Sequence, residues 1–185
     1  MSLNELFNDI LLDHYRHPRH RKVIEDPDAR GEGANPLCGD EITLYVKLEH
    51  TNVSESPEEA KSLKVFQMGF VSRACAICTA STSIFCENAQ GKTVEEIDRL
   101  GELFYRLLKG DPLSSQERAD LGDAVVLEGV SRLPARVKCA TLVYETWKEL
   151  KRDFIKHNST IALTVLQPHE ASCNCGESCD CQSYK

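Results

Sequence analysis

The chain is 185 residues long and carries 22 Lys and Arg against 29 Asp and Glu, a formal net charge of −7. That balance excludes a nucleic-acid partner held by bulk charge. A mean hydropathy of −0.36, with no run near the roughly 18 apolar residues of a membrane span, excludes an integral helical membrane protein.

The length fits one domain with an appendage. Nine Cys is a high count, and the opening Met1-Ser2-Leu3-Asn4-Glu5 lacks the basic and apolar regions of a secretory signal. Reduced thiols in a cytoplasm, available for metal or sulfur chemistry, are therefore expected. Ser2-Leu3-Asn4-Glu5 reads as a capping box, and Leu3, Leu6, Phe7, Ile10 and Leu11 recur at helical spacing until Pro18. Residues 19–40 hold Pro27, Gly31, Gly33, Pro36 and Gly39, too much punctuation for a helix, and deliver Cys38 in a turn. Ile42, Leu44, Val46 and Leu48 then alternate with mostly polar residues, the pattern of a strand with one buried face. After a polar loop over Thr51 to Ala60 with its acidic run Glu55 to Glu59, a second β-rich stretch runs from Leu63 to Ser72, with a break expected near Gly69. A small antiparallel sheet of about three strands is predicted.

From Cys75 the reading turns helical, with a helix to Ala89, a second capping box at Thr93–Glu96, and an apolar stripe of Ile97, Leu100, Phe104, Leu107 and Leu108. Ser114 to Glu117 starts a shorter helix through Val126, and Pro134 opens a long one with Val137, Ala140, Tyr144, Trp147 and Lys151 along one side. Ile161 to Leu166 reads as a short strand or an extended arm. The expected division is a domain over 1–157 and an extension over 158–185.

Three cysteines share a physical setting although 37 and 64 positions separate them: Cys38 in its turn, Cys75 opening a helix, Cys139 in the first turns of another. Helix N-termini favour the thiolate, the form that binds metal or attacks sulfur. Asp40, two residues past Cys38, adds a carboxylate, and a three-sulfur, one-oxygen tetrahedral set suits zinc best. Such a site carries excess negative charge, which Arg136 and Lys138 can offset. Each cysteine taken singly reads equally well as a buried core residue.

The segments Ile10 to His20, Asn35-Pro36-Leu37-Cys38-Gly39-Asp40, Cys75-Ala76-Ile77 and Leu133 to Ala140 resemble, in order and spacing, the NifU/IscU-like scaffold superfamily, over roughly residues 3–155. Lys138, where the IscU branch has His, and an insertion-like stretch from Leu107 to Gly129 make the chain most similar to the SufU branch. The resemblance implies an α+β fold, with a small antiparallel sheet packed on helices, and a zinc site of Cys38, Asp40, Cys75 and Cys139. It implies sulfur transfer: a pyridoxal-phosphate cysteine desulfurase of the SufS type hands persulfide sulfur to this chain for iron–sulfur cluster biogenesis, with downstream assembly proteins as further partners. In that picture the partner frees Cys38 from the metal. Cys38 in its glycine-flanked turn is the expected acceptor, Cys139 the second choice, and Arg136 a partner-contacting or site-orienting residue or a solvated helix-start Arg. A non-catalytic scaffold on which the same ligands build a [2Fe–2S] cluster is the alternative, and a plain zinc-stabilised interaction domain is the third.

Ala74 stands where this family usually has Gly, and Cys78 where it has Ser. Cys78 reads first as a small buried residue, otherwise as a spare ligand or resolving thiol, and Cys86 as core. Among His14, His17 and His20, only His14 belongs to the family motif. The tail Cys173-Asn174-Cys175-Gly176-Glu177-Ser178-Cys179-Asp180-Cys181 has four thiols in nine residues, able to close on a soft metal ion or cluster, to form disulfides, or to stand as an appendage without a role.

Overall fold

A computed structural model describes residues 3–49 and 63–165. The Ser2 cap, the loop over Thr51 to Ala60 and the tail cysteines lie outside the described residues. Helix α1 spans Leu3–Arg16. A three-stranded antiparallel sheet follows, in the order β1 (Ala29–Asn35), β2 (Asp40–Leu48), β3 (Val65–Arg73). Helices α2 (Ala76–Ala89), α3 (Val94–Lys109) and α4 (Ser115–Leu121), a 3-10 helix (Gly122–Arg132) and α5 (Pro134–Val165) complete the α+β fold.

β2 alternates as its sequence dictates: Ile42, Leu44, Val46 and Leu48 are buried on the face that meets the helices. β1 is less obvious, because Ala-Arg-Gly-Glu-Gly-Ala-Asn reads as loop. Its glycines are instead where α5 crosses the sheet. A Cβ on Gly31 would lie 2.8 Å from the Leu150 Cβ, and one on Gly33 would overlap Thr146 Oγ1. The strand thus gives up side chains so that a helix can lie against its backbone. β3 likewise runs unbroken through Gly69, against the break expected there. A Cβ at that position would sit 2.7 Å from the Lys22 carbonyl, so this glycine marks close approach of the Lys22–Ile24 segment.

α2 is the central helix, buried from Cys78 to Cys86. Its polar residues are satisfied within the core: Thr82 Oγ1 donates to the Cys78 carbonyl (2.8 Å) and Ser81 Oγ to the Ala140 carbonyl on α5 (2.7 Å). Tyr144 on α5 stacks on Phe104 at 4.6 Å and meets Phe85 edge-on at 4.8 Å, tying α2, α3 and α5 together. α3 carries the expected capping box, Thr93 with Glu96. α4 starts at its own box, Ser114 with Glu117, but ends at Leu121 rather than Val126. Ala124, Val125, Val126 and Leu127 are all buried, and the tighter 3-10 winding from Gly122 turns this consecutive run inward. Ile161 to Val165 continues α5 and is neither strand nor extended arm. No helix among the described residues is long and apolar enough to cross a membrane.

Candidate metal centre

The β1–β2 hairpin is turned by Asn35-Pro36-Leu37-Cys38, with the Cys38 N–H donating to the Asn35 carbonyl at 3.1 Å. Pro36 supplies the fixed φ of the second turn position, and Gly39, at φ +66°, the left-handed step that returns the chain to β2. The turn leaves Cys38 half-buried at the tip and puts Asp40, buried, opposite Asn35 in the sheet register. Cys75 caps the N-terminus of α2, and its N–H donates to Asp40 Oδ1 at 2.7 Å. Cys139 is fully buried in the first turns of α5.

Cys38, Asp40 and Cys139 are brought together, and Cys75 joins them through Asp40. Cys139 Sγ lies 3.2 Å from Cys38 Sγ, and Cys75 Sγ lies 3.8 Å from Asp40 Oδ2. Ligand atoms of Cys38, Asp40 and Cys139 all fall within 4.8 Å of one another. A tetrahedral zinc ion bound at about 2.3 Å by sulfur sets its ligand atoms roughly 3.7 Å apart, a spacing these contacts bracket. Only Oδ2 of Asp40 is turned to the sulfurs, since Oδ1 is taken by the Cys75 N–H. Two soft sulfurs and one carboxylate oxygen grouped together, with the Cys75 sulfur beside that carboxylate, are a donor set that fits zinc, and also iron in a [2Fe–2S] cluster.

The electrostatics favour a cation. Burial would raise the Asp40 carboxyl, yet the Cys75 N–H and the Cys139, Cys75 and Asn35 side chains hold it below its ordinary value. Burial first, then the neighbouring Asp40 and Cys38 groups, push the Cys139 thiol up. Negative charge here is crowded, a setting in which a bound dication can take the place of the Cys139 proton. Arg136, exposed in the first turn of α5, donates from Nη1 to Cys38 Sγ at 3.2 Å, and its guanidinium is raised by the Cys139 and Cys38 sulfurs. Lys138 is exposed beside a cleft of about 410 Å³ between β1 and α5.

Other sequence candidates lie apart. Cys78 and Cys86 are fully buried in α2. Burial, then the nearby Asp40 and Cys75 charges, pushes the Cys78 thiol up to about 12, so it packs as a core residue. His17 is exposed. His14 is fully buried: Ser83 Oγ lies 2.9 Å from its Nδ1 and Asp123 Oδ2 lies 3.2 Å from its Nε2, joining α1 to α2 and the 3-10 helix. Sequence reasoning quoted Asn35 in its motif but gave it no task. The residue is 4% exposed, and its Nδ2 donates both to Asp40 Oδ2 and to Cys139 Sγ, at 3.4 Å each. An Asn ahead of a Pro-Leu-Cys turn signals only the turn, not a side chain aimed inward.

Comparison with known proteins places the chain in a family. The family model described as NifU-like N terminal domain matches residues 6–140. The chain is 34% identical over 155 residues to a Bacillus subtilis protein named zinc-dependent sulfurtransferase SufU, covering 84% of this chain and 93% of that one. It is 31% identical to a Streptococcus pyogenes protein named iron–sulfur cluster assembly scaffold protein IscU, covering 80% and 84%. A crystal structure of a nitrogen-fixing NifU-like protein (N-terminal) from Brucella abortus shares the fold with a TM-score of 0.66 at 22% identity, covering 84% and 97%.

Proposed function

Because the chain belongs to the NifU-like N-terminal domain family, we propose that it serves iron–sulfur cluster assembly as a zinc-dependent sulfurtransferase, accepting sulfur from a pyridoxal-phosphate cysteine desulfurase of the SufS type in the cytoplasm. The observation that carries this reading is the asymmetry of two touching thiols. Cys38 is half-buried on a turn tip beside an exposed arginine, while Cys139 is buried in a helix 3.2 Å away. The contrast supports Cys38 as the sulfur that leaves and Cys139 as one that stays, while Cys75, half-buried like Cys38, is held at the α2 cap beside Asp40.

Cys38, Asp40, Cys75 and Cys139 would hold zinc, which keeps bound thiolates deprotonated and guarded from oxidation. The remaining chemistry belongs to the chain. Released Cys38 thiolate attacks the terminal sulfur of the desulfurase persulfide; the new S–S bond forms on Cys38 Sγ as the partner's S–S bond breaks, and the electron pair leaves on the partner's thiolate. No net oxidation occurs. Arg136 stabilises the anionic sulfur before and after transfer. Leu37 (77% exposed) and Leu133 (52% exposed) flank Cys38 and Arg136 in sequence and offer apolar contacts to the partner.

The relative named as a scaffold supports a second reading, in which the same four ligands carry a [2Fe–2S] cluster as cargo. Lys138 in place of the IscU-branch His favours the first. Desulfurase turnover measured with and without the chain tests the choice: the sulfurtransferase reading expects stimulation that is lost in Cys38→Ala, and an unchanged rate with wild-type chain contradicts it.

A further inference from the structure

Among the described residues, the Asn35 side chain is a buried neutral donor that bridges two of the four proposed ligands. It closes β1, and its backbone and side chain do separate work. The carbonyl accepts the Cys38 N–H and shapes the turn, while the amide reaches inward to Asp40 Oδ2 and Cys139 Sγ. The Asp40 carboxylate can only accept, so the amide must present its nitrogen there, and its second hydrogen meets the Cys139 sulfur. At 4% exposure, water does not compete for these bonds.

The donors divide the cysteine pair unequally. Cys139 receives an N–H···S bond from a side chain locked in the core, at the strand end that also fixes the turn. Among the described residues Cys38 has no such buried amide donor: its bond comes from Arg136, an exposed guanidinium that also acts on the Cys139 sulfur and that a docking partner can take away. An amide N–H on a thiolate spreads its charge and holds its orientation, as outer-shell donors do for metal ligands generally. We propose that Asn35 is a positioning residue that anchors Cys139 and Asp40 as permanent ligands and so makes Cys38 the sulfur that leaves. The direction of exchange rests on the sulfur-transfer reading; the anchoring rests on the geometry alone.

The test uses the full-length chain with Asn35→Ala, which removes the donor, and Asn35→Asp, which keeps the shape but replaces the donor with a carboxylate. Cobalt(II) titration is the first readout. Both variants are expected to bind about 10- to 100-fold more weakly and to shift the sulfur-to-cobalt charge-transfer band. Affinity within about twofold of wild type with an unmoved band overturns the proposal. The second readout maps sulfane sulfur by mass spectrometry after one desulfurase turnover: on Cys38 in the wild type, spread onto Cys139 in the variants. A wild-type chain that takes no sulfur, with the cobalt result standing, removes the transfer reading and keeps the anchoring. Sulfur confined to Cys38 in all three chains, with unchanged cobalt binding, does the reverse. Should neither variant fold, NMR of the zinc-loaded wild type decides: an Asn35 side-chain amide proton that is shifted downfield and slow to exchange supports the anchor, and one matching exposed Asn amides overturns it.

Discussion

Cys38 and Cys78 differ sharply in access: Cys38 is half-buried at a turn tip and Cys78 fully buried in α2. With its thiol pushed up to about 12, Cys78 is thiolate in roughly one molecule in ten thousand at pH 8, and it is also shut from solvent. Iodoacetamide on the reduced, metal-free chain should therefore label Cys38 well before Cys78 or Cys86, whose reaction waits for unfolding; comparable initial rates in peptide mapping would contradict this assignment. Cys38→Ala should cut sulfur uptake at least about a hundredfold, because the attacking atom itself is gone. Cys86→Ala should leave uptake intact and lower thermal stability instead. The grouping of the three cysteines as ligands came from the family resemblance, but their local settings were legible at this scale, because a turn, a helix start and a helix's first turns are each visible in sequence. Asn35 was not, since nothing in a sequence says that a turn-opening amide points into the core rather than to water.

β1 shows why whole elements can escape such reading. Its glycines match loop chemistry, and only the passage of α5 over residues 31 and 33 makes them strand residues. Gly33→Ala should destabilise the chain by about 1–3 kcal/mol through overlap with Thr146, and adding Thr146→Ala should restore most of the loss. Additive thermal shifts for the two substitutions would exclude that contact. The starts of α3, α4 and α5 were readable because capping boxes and Pro134 fix helix starts regardless of tertiary context. Helix ends were harder: α4 gives way to 3-10 winding and α5 passes through Ile161–Val165, outcomes set by packing and continuity rather than by a stop residue. The α4 start also carries a pH signature. The Ser114 backbone N–H and the Arg106 guanidinium hold the Glu117 carboxyl down to about 2, below its ordinary 4.5. Its contribution is present above the ordinary value and is lost as pH falls from about 4.5 toward 2. Acid titration by circular dichroism should show a helical loss in this window that Glu117→Gln lacks.

For the molecule as a whole, the sheet and helices act as a frame that groups the turn's Cys38 and Asp40 with the buried helical thiol of Cys139 and sets the Cys75 helix cap against Asp40. Cys38 and Arg136 are 98 positions apart in the chain and 3.2 Å apart in space. Leu37 and Leu133, on the turn and just before α5, give this end an exposed apolar rim. Leu37→Asp with Leu133→Asp should raise the chain concentration needed for half-maximal desulfurase stimulation about tenfold while leaving zinc content unchanged. Loss of zinc together with stimulation would instead mark these residues as supports of the site.

The most direct measurement is the metal content of the full-length chain purified without oxygen, compared with Cys75→Ala and with a chain in which Cys173, Cys175, Cys179 and Cys181 are all replaced by Ser. A resident zinc site built by Cys38, Asp40, Cys75 and Cys139 predicts about one tightly held zinc per chain, kept when the tail cysteines are replaced and lost in Cys75→Ala. Iron with acid-labile sulfide in the wild type, or zinc that disappears with the tail cysteines and survives Cys75→Ala, would contradict it.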